Sequence, residues 1–333
     1  MEHSFYHLAA LQPWHNVIWQ CLTGRFPDLG HGLLFYGKQG CAKRQFASHF
    51  AKWLLCIKKQ AHGACQECHS CKWFAAGTHP QLKLIHAEFD EKKQNYSAIK
   101  IDQIREIADF VQQTVDGWRV VIIEPAEYLN IAAANALLKT LEEPGERVVL
   151  ILISDSMLKL PATIRSRVQH FALDRISLDE AQQYLAQTAT EKSSVEMSVA
   201  LTLAQNMPLK AAQILASDWF SQRAAFIQAW IVLVSEKAFP IKFSSYWYKQ
   251  IDFRELLALV RYSIQDCIAF KLQQPLQQTD VAIESLQGHY SLQQLFAIYQ
   301  QINKMNSMLA QNVQTQLIFD ELTMQLMNVS SMQ

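Results

Sequence analysis

The sequence carries no excess of charge of either sign: thirty Lys and Arg balance thirty Asp and Glu over 333 residues. That balance excludes the broad positive field by which a protein acting alone holds DNA, and leaves contacts that are local or shared with other subunits. Long apolar runs are also missing. The longest, Val148 to Ile153 and Ala229 to Val234, fall far short of the roughly 20 residues a membrane-spanning helix needs, so no membrane anchor is expected. The N-terminal stretch shows no charged segment followed by an apolar signal core, so the chain is expected to stay in a reducing, cytoplasmic compartment where disulfides are rare. There is no internal repeat and no long low-complexity tract. The glutamine-rich patch from Gln273 to Gln278 reads as a loop between helices.

What is present begins with cysteine. Cys56, Cys65, Cys68 and Cys71 follow the pattern C-x8-C-x2-C-x2-C, and the last three crowd into seven residues. Thiols at that spacing converge on one tetrahedral ion without long-range folding, so a structural zinc is expected. Four protein ligands leave no position open for water, and such a site holds shape without doing chemistry. Lys52, Lys58, Lys59 and Lys72 lie nearby in sequence to offset the thiolate charge. Cys21, Cys41 and Cys267 are isolated and read as packing residues. His79 precedes Pro80 close to the cluster, but four thiolates already complete the shell.

At this length, with 50% hydrophobic residues, the chain can form two or three domains. Leu33 to Tyr36 runs into Gly37, Gly40 and a helical stretch from Lys43, the strand, loop and helix order of a phosphate-binding loop. Trp118 to Ile123 and Val148 to Ile153 are apolar strands of the kind a parallel sheet buries on both faces. Between them Asn130 is placed to cap a helix through Leu137, Leu138 and Leu141, ended by Glu142-Glu143-Pro144. Beyond Arg167 the character changes. Ser177-Leu-Asp-Glu180 and Ser193-Ser-Val-Glu196 match the capping box, a third helix follows Pro208, and from Asp218 onward the apolar spacing is helical.

The nucleotide loop lacks groups that a working one needs. The pattern G-x-x-x-x-G-K-[ST] uses glycine backbone to approach phosphate, lysine to reach its oxygens and a hydroxyl to bind Mg²⁺. Here Gly37 and Lys43 remain, with Gly40 between them in the loop, while Ala42 replaces the second glycine and Arg44 replaces the hydroxyl residue. A guanidinium about 4 Å from Mg²⁺ is repelled by roughly 8 kcal/mol at an effective dielectric near 20. After the strand Val120 to Ile123, where an Asp would hold Mg²⁺ and a Glu would polarise water, stand Glu124 and Pro125. Nucleotide binding there is not expected to lead to hydrolysis.

These residues, together with Gly77-Thr-His-Pro80, the stretch Ala133-Ala-Asn-Ala-Leu-Leu-Lys-Thr-Leu-Glu-Glu-Pro144 and Thr163-Ile-Arg-Ser-Arg167, resemble the delta-prime family of bacterial DNA polymerase III clamp-loader subunits, within the AAA+ superfamily. The first two thirds match by motif, the last third by length and helical character. The resemblance implies an α/β AAA+ P-loop-type domain over 1–172 with an inserted zinc module (56–71), a small helical lid over 173–215 and an all-α collar over 216–333. It implies a non-hydrolysing subunit with no ATPase or polymerase activity of its own inside the polymerase holoenzyme. The implied partners are gamma/tau-type ATPase subunits and a delta-type subunit, with the sliding clamp and primer-template DNA met through the complex. The family's Ser-Arg-Cys motif aligns with Ser166-Arg167-Val168, which implies that Arg167 reaches the ATP of a neighbouring subunit as an arginine finger; Val168 departs from the motif's cysteine. Ser154 matches the family's first sensor position, and the second sensor's glycine and arginine are absent near Asn206 to Leu209.

Two other function classes compete. One is the ATPase subunit of the same machine, disfavoured by Ala42, Arg44 and Pro125. The other is a stand-alone zinc-dependent nucleic-acid-binding protein, disfavoured by zero net charge.

Overall fold

The computed structural model describes residues 11–90, 95–113, 115–236, 239–308 and 314–328. They divide into two compact units, one reaching up to Asp90 and continuing over Tyr96–Glu180, the other beginning at Ala181.

The first unit is built on a sheet of five parallel strands: β1 (Gly32–Tyr36), β2 (Leu82–His86), β5 (Arg119–Glu124), β6 (Val148–Ser154) and β7 (Gln169–Ala172), in the order β2-β5-β6-β1-β7. A two-stranded ribbon, β3 (Phe89–Asp90) with β4 (Asn95–Tyr96), lies outside it. The apolar runs read from sequence become the central strands. Leu33, Leu34 and Phe35 are fully buried, as are Val120, Val121 and all of β6, because helices cover both faces of a parallel sheet. The β5 strand starts one residue later than the sequence reading placed it, at Arg119.

On one face, Phe46, Phe50 and Trp53 recur at helical spacing on the helix Lys43–Leu55. They meet Phe35 and Trp19 edge-on at centroid distances of 5.1–6.4 Å. The opposite face packs on the helices Ile101–Gln112 and Ile131–Glu142 through Ile104, Ile107, Leu137 and Leu141. Asn130 caps the second of these, its side chain accepting from the Ala133 N–H at 2.8 Å. Register pairs Tyr36 with Ser154, and Ile123 with Leu152. The carboxyl ends of β1, β5 and β6 therefore lie side by side, which is where open parallel sheets place their functional crevice.

The second unit is helical: the helix Leu178–Thr188 runs into it, and eight more follow among the described residues, from Ser194–Leu203 to Thr315–Asn328. Both capping boxes form: Ser193 and Glu196 bond reciprocally, and so do Ser177 and Glu180. The buried indole of Trp230 donates to Tyr290 Oη at 2.8 Å, and that hydroxyl donates to the Leu326 carbonyl at 2.9 Å. Buried Asp266 accepts from the N–H groups of Gln277 and Gln278 at 2.7 and 3.0 Å, pinning the glutamine-rich loop to the helix Phe253–Lys271. Among the described residues no helix is long and apolar enough to cross a membrane.

Candidate functional site

Three groups of residues singled out by the sequence lie in the first unit. At the carboxyl ends of β1, β5 and β6 sits the degenerate nucleotide loop. Gly37 has φ +155°, and a side chain there would press within 3.0 Å of Asp174 and 3.1 Å of Cys41. Ala42 takes the left-handed conformation at φ 66°, the position where the motif has glycine, at a cost of about 1 kcal/mol. The buried Cys41 carbonyl accepts from Trp14 Nε1 at 3.1 Å and lies 3.0 Å from His15 Nε2, so the residues before the first long helix fasten the loop. The helix Lys43–Leu55 then opens without a side-chain cap.

The charged groups of the loop bind other residues of the chain. Lys43 Nζ lies 2.6 Å from Asp155 Oδ1, and Gln39 Nε2 donates to the other oxygen at 3.1 Å. The Lys38 N–H donates to Asp174 Oδ2 at 3.2 Å. Arg44, expected only to repel Mg²⁺, makes an ion pair with Glu124 at 2.9 Å. Burial pushes the Glu124 carboxyl above its usual range, while Arg44 and then Lys43 pull it back. Asp155 is itself placed by Glu127, which accepts its N–H at 3.1 Å. Ser154 is buried and donates to the Ser156 carbonyl at 2.9 Å. Asp155, Asp174 and Glu127 carried no motif. Only the strand order, which sets β1 between β6 and β7 with β5 beside β6, brings the residues after those strands to the loop after β1.

The four cysteines come together between two helices. Cys56 terminates the helix Lys43–Leu55 and Cys68 caps the helix His69–Ala75. All four sulfurs lie within 4.8 Å of one another. The nearer separations are 3.5 Å for Cys56 to Cys65 and 3.9 Å for both Cys56 to Cys68 and Cys65 to Cys71. Disulfide sulfurs sit about 2.05 Å apart, so these are not bonded pairs. A tetrahedron with Zn–S of about 2.3 Å has edges of about 3.8 Å, and the three nearer separations lie within a few tenths of an ångström of that.

Backbone N–H groups of Cys65, Cys68 and Cys71 point at the sulfurs of Cys56, Cys65 and Cys68 at 3.3–3.5 Å, a pattern that favours thiolate. Burial acts to raise the Cys68 thiol, yet the N–H groups of Cys71 and Ile57 and neighbouring thiols bring it down to about 6. Of the four lysines, Lys59 reaches the Cys56 carbonyl at 2.8 Å and Lys52 the Gln66 side chain, while Lys58 and Lys72 are exposed. His79 is turned to another task. Its Nδ1 accepts from the Gln81 N–H at 3.1 Å, so Nε2 carries the proton and meets Ser70 Oγ at 2.8 Å, and that hydroxyl donates to the Leu55 carbonyl. Leu55 and Ser70 immediately precede Cys56 and Cys71, so the relay steadies two of the four thiols from behind.

Arg167 lies between the short helix Ala162–Arg165 and β7. Its Nε and Nη2 are each 2.7 Å from Glu142 Oε1, and Nη1 donates to the Thr163 carbonyl at 3.0 Å. The side chain remains 37% exposed. Sequence reasoning placed the arginine without seeing the carboxylate that holds it.

A family model described as "DNA polymerase III, delta subunit" matches residues 24–177, the span holding all three groups. The Pseudomonas aeruginosa protein "DNA polymerase III subunit delta'" is 38% identical over 223 residues, 66% of this chain and 66% of that protein. The Haemophilus influenzae protein of the same name is 30% identical over 275 residues, 80% of each chain. The H. influenzae "DNA polymerase III subunit tau/gamma" is 35% identical over 167 residues, 50% of this chain and 23% of that one. A solved Thermotoga maritima gamma subunit-related protein aligns over 95% of this chain and 99% of its own at 15% identity, with a TM-score of 0.45.

Proposed function

This chain belongs to the delta-prime family of DNA polymerase III subunits, and from that membership we propose that it is a non-hydrolysing subunit of the clamp loader in DNA replication. The observation that carries this reading is the Arg44–Glu124 ion pair at 2.9 Å. A guanidinium rests on the carboxylate that ends β5, where hydrolysis needs a metal ion, and Pro125 stands where the water-orienting carboxylate would be. The similarity to a tau/gamma subunit reflects the shared module. The ATPase assignment is set aside because that module here has lost its hydroxyl, its second glycine and its water-orienting acid.

In this reading the α/β part (1–172) serves as the AAA+-like body, with a helical lid over 173–215 and a collar over 216–333 through which the subunit joins its neighbours. Arg167 is the group it lends to an adjacent ATPase subunit of gamma/tau type, within a cytoplasmic assembly that also holds a delta-type subunit and acts on the sliding clamp and primer-template DNA. The Cys56, Cys65, Cys68 and Cys71 cluster would hold a structural zinc. When bound, the ion would tie the end of one helix to the start of the next; the N–H groups already aimed at the sulfurs keep them ready for it. Purification from the native cell tests the assignment: the chain is expected to co-purify with the other loader subunits and to show no ATP turnover alone. Turnover by homogeneous chain that Lys43→Ala abolishes would refute it.

A further inference from the structure

A cation as enclosed as Lys43, 11% exposed in its side chain, needs a partner anion. In a working loop that anion is phosphate. Here the carboxylate of Asp155 takes the ammonium at 2.6 Å with Gln39 fastened over its second oxygen. A second carboxylate, Asp174, accepts the Lys38 N–H of the loop itself. The opposite charge is supplied as well: Arg44 rests on Glu124, the carboxylate that a metal ion would otherwise meet. The chain thus carries, covalently attached, an anion for the loop and a cation for the acid.

We propose that Asp155 is a built-in occupant of the phosphate position, which holds the loop closed without nucleotide, and that removing its charge re-opens a site for polyphosphate at Lys43. This rests on the reading of the loop as a disabled nucleotide site. Three features of the loop make it competent once vacated. Gly37 and Gly40 keep positive φ, the helix Lys43–Leu55 presents its positive, uncapped end to the loop, and the Cys41 carbonyl is fixed by Trp14 and His15. A free phosphate competes poorly with Asp155 in the native chain. A tethered partner acts at an effective concentration of millimolar or more, and Asp155 is pre-set by its N–H bond to Glu127. An incoming anion would also add its charge beside Asp174 and Glu124.

The test is isothermal titration of the full-length chain with inorganic tripolyphosphate in the absence of Mg²⁺, comparing wild type, Asp155→Asn, Asp155→Ala and the double variant Asp155→Asn with Lys43→Ala. The single variants are expected to bind at least about tenfold more tightly than wild type, the scale of one lost charged hydrogen bond, and the double variant to lose that gain. If the single variants fold and bind no better than wild type, the proposal falls and the non-hydrolysing assignment stands. Tight binding by the wild-type chain without turnover overturns this proposal alone, and ATP turnover by wild type overturns both. If the single variants melt early, saturating tripolyphosphate is expected to restore their transition by binding the folded state; failure to restore it also refutes the proposal.

Discussion

Replacing Arg167 separates a finger from an ordinary surface arginine because the two roles differ in size by several kcal/mol. In this chain the guanidinium is held by Glu142 at 2.7 Å, with side chains 37% and 51% exposed. Such a pair contributes at most about 1 kcal/mol after solvent screening. Losing an arginine finger costs about 10³ to 10⁵ in rate, equivalent to about 4–7 kcal/mol of transition-state stabilisation. Releasing Arg167 from Glu142 to reach a neighbour's phosphate would therefore cost a small part of what a finger supplies.

Two expectations follow from these magnitudes. Arg167→Ala should leave the subunit folded and able to join its complex while removing one ATPase site's share of hydrolysis. Glu142→Gln, which only frees the arginine, should leave hydrolysis within about fivefold of wild type. Arg167→Lys should rescue in part, since lysine keeps the charge and loses the planar fork. The assay is DNA- and clamp-stimulated ATP hydrolysis by the reconstituted complex, with assembly checked by gel filtration. A complex carrying Arg167→Ala that assembles, hydrolyses ATP and loads clamps at the wild-type rate would return Arg167 to the surface.

Metal analysis of purified protein should find one zinc per chain, and Cys68→Ser should lose it together with a lowered melting temperature; protein with no zinc whose stability ignores the substitution refutes the site. His15 is buried, and burial holds its imidazole down to about 4 from 6.5 against the favourable pull of the Cys41 carbonyl. The unfolded chain takes up that proton first, so stability is present above pH 6.5 and is lost as pH falls toward 4, by about 3 kcal/mol from this group. Urea titrations of wild type and His15→Gln across that window should differ in slope, and parallel curves would discount the burial argument. Tyr290→Phe strands the buried Trp230 N–H and frees the Leu326 carbonyl, for an expected loss of about 1–3 kcal/mol; an unchanged urea midpoint would show that the relay adds nothing.

How much of this was legible in the chain depends on how far apart the cooperating residues lie. Local signals were readable because their physics is local: the Asn130 cap three residues from its donor, the Ser193 and Glu196 box, the apolar runs that became β1, β5 and β6, and the cysteines crowded around one turn. The losses at Ala42 and Arg44 were visible because a phosphate loop is a contiguous motif, and the loss at Pro125 because it directly follows an apolar strand. Tertiary structure alone decided what fills the loop that those losses leave. Asp155 stands 112 residues from Lys43, Asp174 136 residues from Lys38 and Glu142 25 residues from Arg167, and no residue pattern links them. Asp155 and Asp174 reach the loop because β1 inserts between β6 and β7 in a parallel sheet, an order set by the burial of whole strand faces. Composition and spacing identify the charges, but an ion pair requires two of them within about 4 Å, and that proximity exists only once the sheet has closed.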